Sequence, residues 1–173
     1  DAVDSDKEFI INLTQDLVRI PTVNSRYVED ISVNREKEAQ EFLCNTLNRI
    51  GMKTEMWDVS ENSPNLVACN VKNEIPVLLL CGHIDVVPEG DHDKWSVDPF
   101  GASIINNRIY GRGAMDMKAG LAACVAALYY VFKAGLELND VIAIHSVVDE
   151  EAGQTGVVDA LSRGYVGKSA IIA

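Results

Sequence analysis

The run LLLCGHIDVVPEG, from Leu78 to Gly90, decides the fold. From Val77 to Cys81 every position is apolar, so a strand here needs cover on both faces, the pattern of a central strand with helices on either side. Two titratable groups, His83 and Asp85, then stand where a buried strand gives way to a loop. A histidine beside a core strand is commonly a hydrogen-bonded structural residue, so this stretch alone does not define a site.

Upstream, SDKEFIINLTQDLVRIP opens with a capping box, Ser5 and Glu8, and repeats apolar residues at helical spacing through Phe9, Leu13, Leu17 and Ile20 until Pro21 stops it. A second helix is predicted over about Arg35 to Ile50, with Gly51 as its left-handed cap. KTEMWDV and NLVACNV read as half-buried or edge strands, and a polar turn at Lys72 to Glu74 leads into the central one.

Downstream, ASIINNRIY predicts a short hairpin turning at Asn106 and Asn107. DMKAGLAACVAALYYVFKAG is a strong helix capped by Gly135, and DVIAIHSVV is another buried strand. The loop DEEAGQTG follows, then a short helix to about Arg163, and SAIIA begins a further strand. Alternating strands and helices without internal repeats or low-complexity linkers argue for one α/β domain, a three-layer α/β/α sandwich with a mostly parallel central sheet.

Composition narrows the function. With 47% apolar and 24% charged residues, the chain is an ordinary globular protein. Its formal net charge of -11 disfavours nucleic acid and anionic membrane surfaces as partners. No apolar run is read as reaching the roughly 20 residues that cross a bilayer, and the start DAVDSDKEF lacks the features of a secretory signal, so a cytoplasmic protein is expected. The absence of an initial Met suggests a trimmed chain. Cys44, Cys69, Cys81 and Cys124 have no CxxC pairing and are expected to be reduced thiols.

Open α/β sheets hold ligands beyond the carboxyl ends of their strands. Three titratable clusters fall at such places: His83 and Asp85, then Asp116 in GRGAMDMKAG, then Asp149, Glu150 and Glu151. Each alone is ordinary, since an acidic helix start is usually a cap and an acidic loop is usually solvated. Gathered at one sheet edge, the carboxylates would repel one another by several kcal/mol unless a cation joined them. One imidazole with several carboxylates is the ligand mix of hydrolytic zinc, with cobalt or manganese as substitutes.

GHIDVVP, the WSVDPF segment from Trp95 to Phe100, YGRGAMDMKAG and DEEAG, in this order and with RIPTVN ahead of them, resemble a zinc-dependent metallopeptidase family. That family includes acetylornithine deacetylase, succinyl-diaminopimelate desuccinylase, aminoacylase and the glutamate-releasing carboxypeptidases. The resemblance implies a two-zinc site in which His83 binds one ion, Glu151 the other, and Asp116 bridges them. It also implies that Asp85 orients His83 through the far ring nitrogen, that Glu150 is the general base for a metal-activated water, and that the Asp116–Met117 peptide is cis, with Gly111 and Gly113 easing the turn. The implied substrate is a small N-acyl amino acid or dipeptide, and the parent is expected to be a homodimer. Trp95, Pro99 and Phe100 would line the substrate mouth or pack as a loop cluster. Lys118 is read as a helix-start residue without a catalytic part, and His92 and His145 are not expected to be ligands.

Members of the family run to about twice this length and carry an inserted dimerisation domain. The chain therefore resembles the N-terminal part of a catalytic domain spanning 1–173, expected to bind metal weakly and turn over little by itself. Two other functions make different predictions. A non-catalytic binding or regulatory domain would have lost the base or the bridging ligand, and a nucleotide-binding module would bind ATP or NAD regardless of chelators; GRGAMDMKAG has neither the GxGxxG spacing nor a GK[ST] ending.

Overall fold

A computed structural model of the chain describes residues 3–72 and 74–172. Asn73, in the turn expected at 72–74, and Ala173, at the end of the expected last strand, lie outside the described residues. The strands are β1 (Lys53–Ser60), β2 (Ser63–Cys69), β3 (Leu78–His83), β4 (Ser103–Ile105), β5 (Arg108–Tyr110), β6 (Ile142–Val147) and β7 (Ser169–Ile172). The helices are α1 (Glu8–Arg19), α2 (Glu36–Arg49), α3 (Ala119–Lys133) and α4 (Thr155–Ser162).

Five strands form one sheet in the order β1-β2-β6-β3-β7. The expected parallel pairing holds where β6, β3 and β7 meet, while β1 and β2 join antiparallel, so the sheet is mixed. Leu66, Ala68, Leu80 and Ile144 point from the sheet into one large core with Leu13 and Leu17 of α1, Leu43 and Leu47 of α2, and Leu121, Val125 and Leu128 of α3. Residues of opposite parity face the other way, where Trp57 stacks on Tyr165 and meets Asp159 of α4. The arrangement is the three-layer α/β/α sandwich.

Several local expectations change. α1 begins at Glu8 behind a 3-10 turn, with Lys7 and not Ser5 at the cap position. Arg19 ends the helix because Ile20, ahead of Pro21, is extended. β2 is buried along most of its length, because it lies between β1 and β6 rather than at an edge. The hairpin turns at Asn106 and Asn107, both left-handed, as its sequence implies.

Against the expectation that no run is long enough, the 20-residue segment Ala114–Lys133 is long and apolar enough by composition to cross a bilayer, with a mean hydropathy of 1.3 over its most apolar 18 residues. Its regular part, α3, has only 15 residues, about 22 Å at 1.5 Å per residue, and its apolar side is the core beneath the sheet. The irregular turn Ala114–Lys118 precedes it, with Asp116 and Met117 outside helical geometry.

Two glycines bring this turn to the strand end. A side chain at Gly82 would stand 3.1 Å from the Met117 methyl, so the bare backbone of β3 lets Met117 cross over it. Gly113 is left-handed at φ +79°, and a Cβ there would run into Val86.

Candidate metal centre

β3 and β6 run in register, His83 opposite Val147, so the loops leaving their carboxyl ends start side by side. The first carries Asp85 and the second Asp149, Glu150 and Glu151; Asp116 arrives from the turn before α3. His83, Asp116 and Glu151 each offer a ligand atom within 4.8 Å of the other two. His83 Nε2 lies 3.2 Å from Asp116 Oδ1 and 3.6 Å from Glu150 Oε2. The Asp116–Met117 peptide is cis.

The ring orientation of His83 is fixed from behind. Its Nδ1 lies 2.9 Å from the backbone oxygen of Asp85 and 3.5 Å from that residue's carboxylate. The main-chain oxygen of Asp85 is the nearer partner, and the carboxylate expected in this role stands beside it, close enough to favour the charged ring. The carboxylate, fully buried, also accepts the N–H groups of Glu150 at 3.2 Å and Glu151 at 3.1 Å, and an amide hydrogen of Asn24 at 2.8 Å. Asp85 therefore ties the two strand-end loops together.

Electrostatics follow from crowding. Burial works against a charged His83 imidazole, but Asp85 and Glu150 outweigh it and raise the group to about 9. Burial raises the Glu151 carboxyl; His83 opposes this, while Asp116, Asp85 and Glu150 add to it. Burial would also raise Asp149, but hydrogen bonds from Arg26, Thr155 and Asn24 hold it well below the usual carboxylate range. The cluster carries more negative than positive charge around one imidazole, an environment that favours an added cation. With side chains of Asp116 and Glu150 76% and 44% exposed and that of His83 5%, the donors form an open cup, which suits zinc, cobalt or manganese with free positions for water or substrate.

A cavity of about 370 Å³ opens on this cup, lined by His83, Asp116 and Glu150 and on its apolar side by Val147, Val157 and Ile172. Trp95, Pro99 and Phe100 do not line it; Trp95 bonds to the Glu89 carbonyl and lies under Arg112. His92 pairs with Glu89 on the surface, and buried His145 packs edge-on to Tyr165.

Three residues support the cup from behind: Lys118, expected only as a helix-start residue, Asp149, expected only as part of the acidic loop, and Asn24, for which the sequence suggests no role. Lys118 is completely buried, its Nζ donating to the carbonyls of Leu17 and Ile20 at 3.0 and 2.9 Å. Asn24 and Asp149 form a polar support behind Asp85. A lone lysine in the apolar run AMDMKAGLAAC was the available signal for the first; an asparagine in a loop gives none.

The family model for peptidase family M20/M25/M40 matches residues 79–171. The chain is 34% identical over 173 residues to the N-formyl-4-amino-5-aminomethyl-2-methylpyrimidine deformylase of Halalkalibacterium halodurans, covering 98% of this chain and 39% of that protein. It is 32% identical over 156 residues to a probable succinyl-diaminopimelate desuccinylase of Staphylococcus epidermidis, covering 90% of this chain and 36% of the relative. The crystal structure of an M20 family metallo-carboxypeptidase from Sulfolobus solfataricus superposes with a TM-score of 0.79 at 24% identity, over 94% of this chain and 36% of that one. The chain thus spans well under half the length of these relatives. By the family match across more than half its residues, the chain belongs to peptidase family M20/M25/M40.

Proposed function

We propose that the chain is the N-terminal part of the catalytic domain of a metal-dependent hydrolase that cleaves an amide bond in a small N-acyl amino acid or dipeptide. The observation that carries this reading is the convergence of His83, Asp116 and Glu151 with Glu150 beside them. His83 and Glu151 would each hold a divalent cation, zinc by preference, with Asp116 between them. Such ions polarise a substrate carbonyl and make water more acidic. Glu150, 3.6 Å from His83 Nε2 and open to solvent, takes the proton of the attacking water and returns it to the departing amine. Asp85 keeps His83 turned toward the cup through its carbonyl, and the apolar wall of Val147, Val157 and Ile172 receives the uncharged part of the substrate.

Relatives named as a deformylase and a desuccinylase support removal of an acyl group from nitrogen, and peptide cleavage is the same amide chemistry. The place of Glu150 favours hydrolysis over the alternative of a non-catalytic binding domain. For the 173-residue chain alone we expect little or no turnover. The test pairs metal analysis with hydrolysis of N-acyl amino acids and dipeptides by the full-length protein and its Glu150→Ala variant. Retained zinc with hydrolysis reduced about 10²- to 10⁴-fold is expected; unchanged hydrolysis would remove Glu150 from the role of base.

A further inference from the structure

The segment Thr22 to Asn24 lies beside the loop that carries Asp85. The Thr22 hydroxyl donates to the Ile84 carbonyl at 2.6 Å, Val86 N–H donates to Thr22 O at 2.9 Å, and Asn24 N–H donates to Val86 O at 3.0 Å. Asn24 is 2% exposed. Its side-chain oxygen accepts the Arg26 N–H at 2.9 Å, which leaves its two amide hydrogens facing the other way. They reach two carboxylates on two different loops, Asp85 Oδ2 at 2.8 Å and Asp149 Oδ1 at 3.1 Å.

Both carboxylates govern where the acidic pair is placed. Asp85 receives the N–H groups of Glu150 and Glu151. Asp149 is left-handed, φ 61°, and its side chain accepts from Thr155 and Gly153, closing the turn from which Glu150 and Glu151 depart. A residue at position 24 without two donors would deprive Asp85 Oδ2 and Asp149 Oδ1 of the donor group they share, leaving Asp149 to Arg26, Gly153 and Thr155.

We propose that Asn24 is a positioning residue for the metal centre: its amide holds the loop after β3 and the loop after β6 at the separation that lets His83 and Glu151 act on one cation cluster. The proposal rests on the metal reading above. It predicts that the isosteric change Asn24→Asp, which removes both hydrogens and adds a third carboxylate, spreads the loops while leaving the sheet intact. Asn24→Ser, with one donor on a shorter arm, should do the same more mildly.

The experiment measures cobalt(II) affinity by visible absorption for the full-length protein, wild type and both variants, together with amide hydrogen exchange of the metal-free proteins. Expected are a loss of cobalt affinity of about 10- to 100-fold and exchange of the Glu150 and Glu151 amides accelerated about tenfold or more, with the amides of β3 and β6 unchanged. Unchanged cobalt affinity in both variants overturns the proposal, as does acceleration spread equally over the sheet, which would mark Asn24 as a packing residue. If Asn24→Asp does not fold, Asn24→Ser decides by the same criteria. Failure of the full-length wild type to bind cobalt would show in the control and sink the metal reading itself, and the proposal with it.

Discussion

Asp85 has no exposed surface, yet it accepts three N–H groups, from Glu150, Glu151 and Asn24, and its carbonyl lies against the His83 ring. Removing that carboxylate strands buried donors, so Asp85→Ala should destabilise the fold by about 3 kcal/mol, read by chemical denaturation. Asp85→Ala should weaken cation binding as well, whereas Glu150→Ala should leave stability within about 0.5 kcal/mol, because the Glu150 side chain is 44% exposed. At this scale the sequence showed which residues gather and stopped short of which atoms meet. The spacing of His83 and Asp85 puts them in reach of each other, but whether carbonyl or carboxylate takes the ring nitrogen depends on loop dihedrals that spacing does not encode. Asn24 was illegible because its partners lie 61 and 125 positions away.

Elements read more easily than their joints. The periods of α1, α2 and α3 and the Asn106–Asn107 hairpin were plain because each is decided by residues close in sequence. The start of α1, the burial of β2 and the turn Ala114–Lys118 depend on what packs beside them. That turn is held by Lys118, which reaches the carbonyls of Leu17 and Ile20 at the open end of α1, where Pro21 offers Leu17 no N–H of its own. Lys118→Met keeps the aliphatic stem and removes both donors. We expect a loss of about 2 to 3 kcal/mol of stability by denaturation, with weaker cation binding because Asp116 sits two residues away. Lys118→Met with unaltered stability would show that the two carbonyls find other partners.

For the molecule as a whole, the α/β/α layering was legible from the apolar strands Val77 to Cys81 and Val141 to Val148, while the antiparallel attachment of β1 and β2 was not, since pairing partners are far apart in the chain. Stability should depend on pH through His145, buried on β6 and pushed by that burial down to about 4. Its folded value lies below the ordinary 6.5, so the unfolded chain gains the proton first. Stability from this group is full above about pH 6.5, declines as pH falls toward 4, and is then lost by about 3 kcal/mol. Denaturation of wild type and His145→Leu across pH 7.5 to 4.5 should show a flatter profile in the variant, and parallel profiles would reject the assignment.

The central claim is that distant side chains meet at one cation-binding focus on the sheet edge. It is tested most directly by the melting temperature of the chain with and without zinc, for wild type and His83→Ala. At zinc about a hundredfold above its Kd, the wild type should gain roughly 5 to 10 °C and His83→Ala little. No gain in the wild type, or an equal gain in both proteins, would contradict the account.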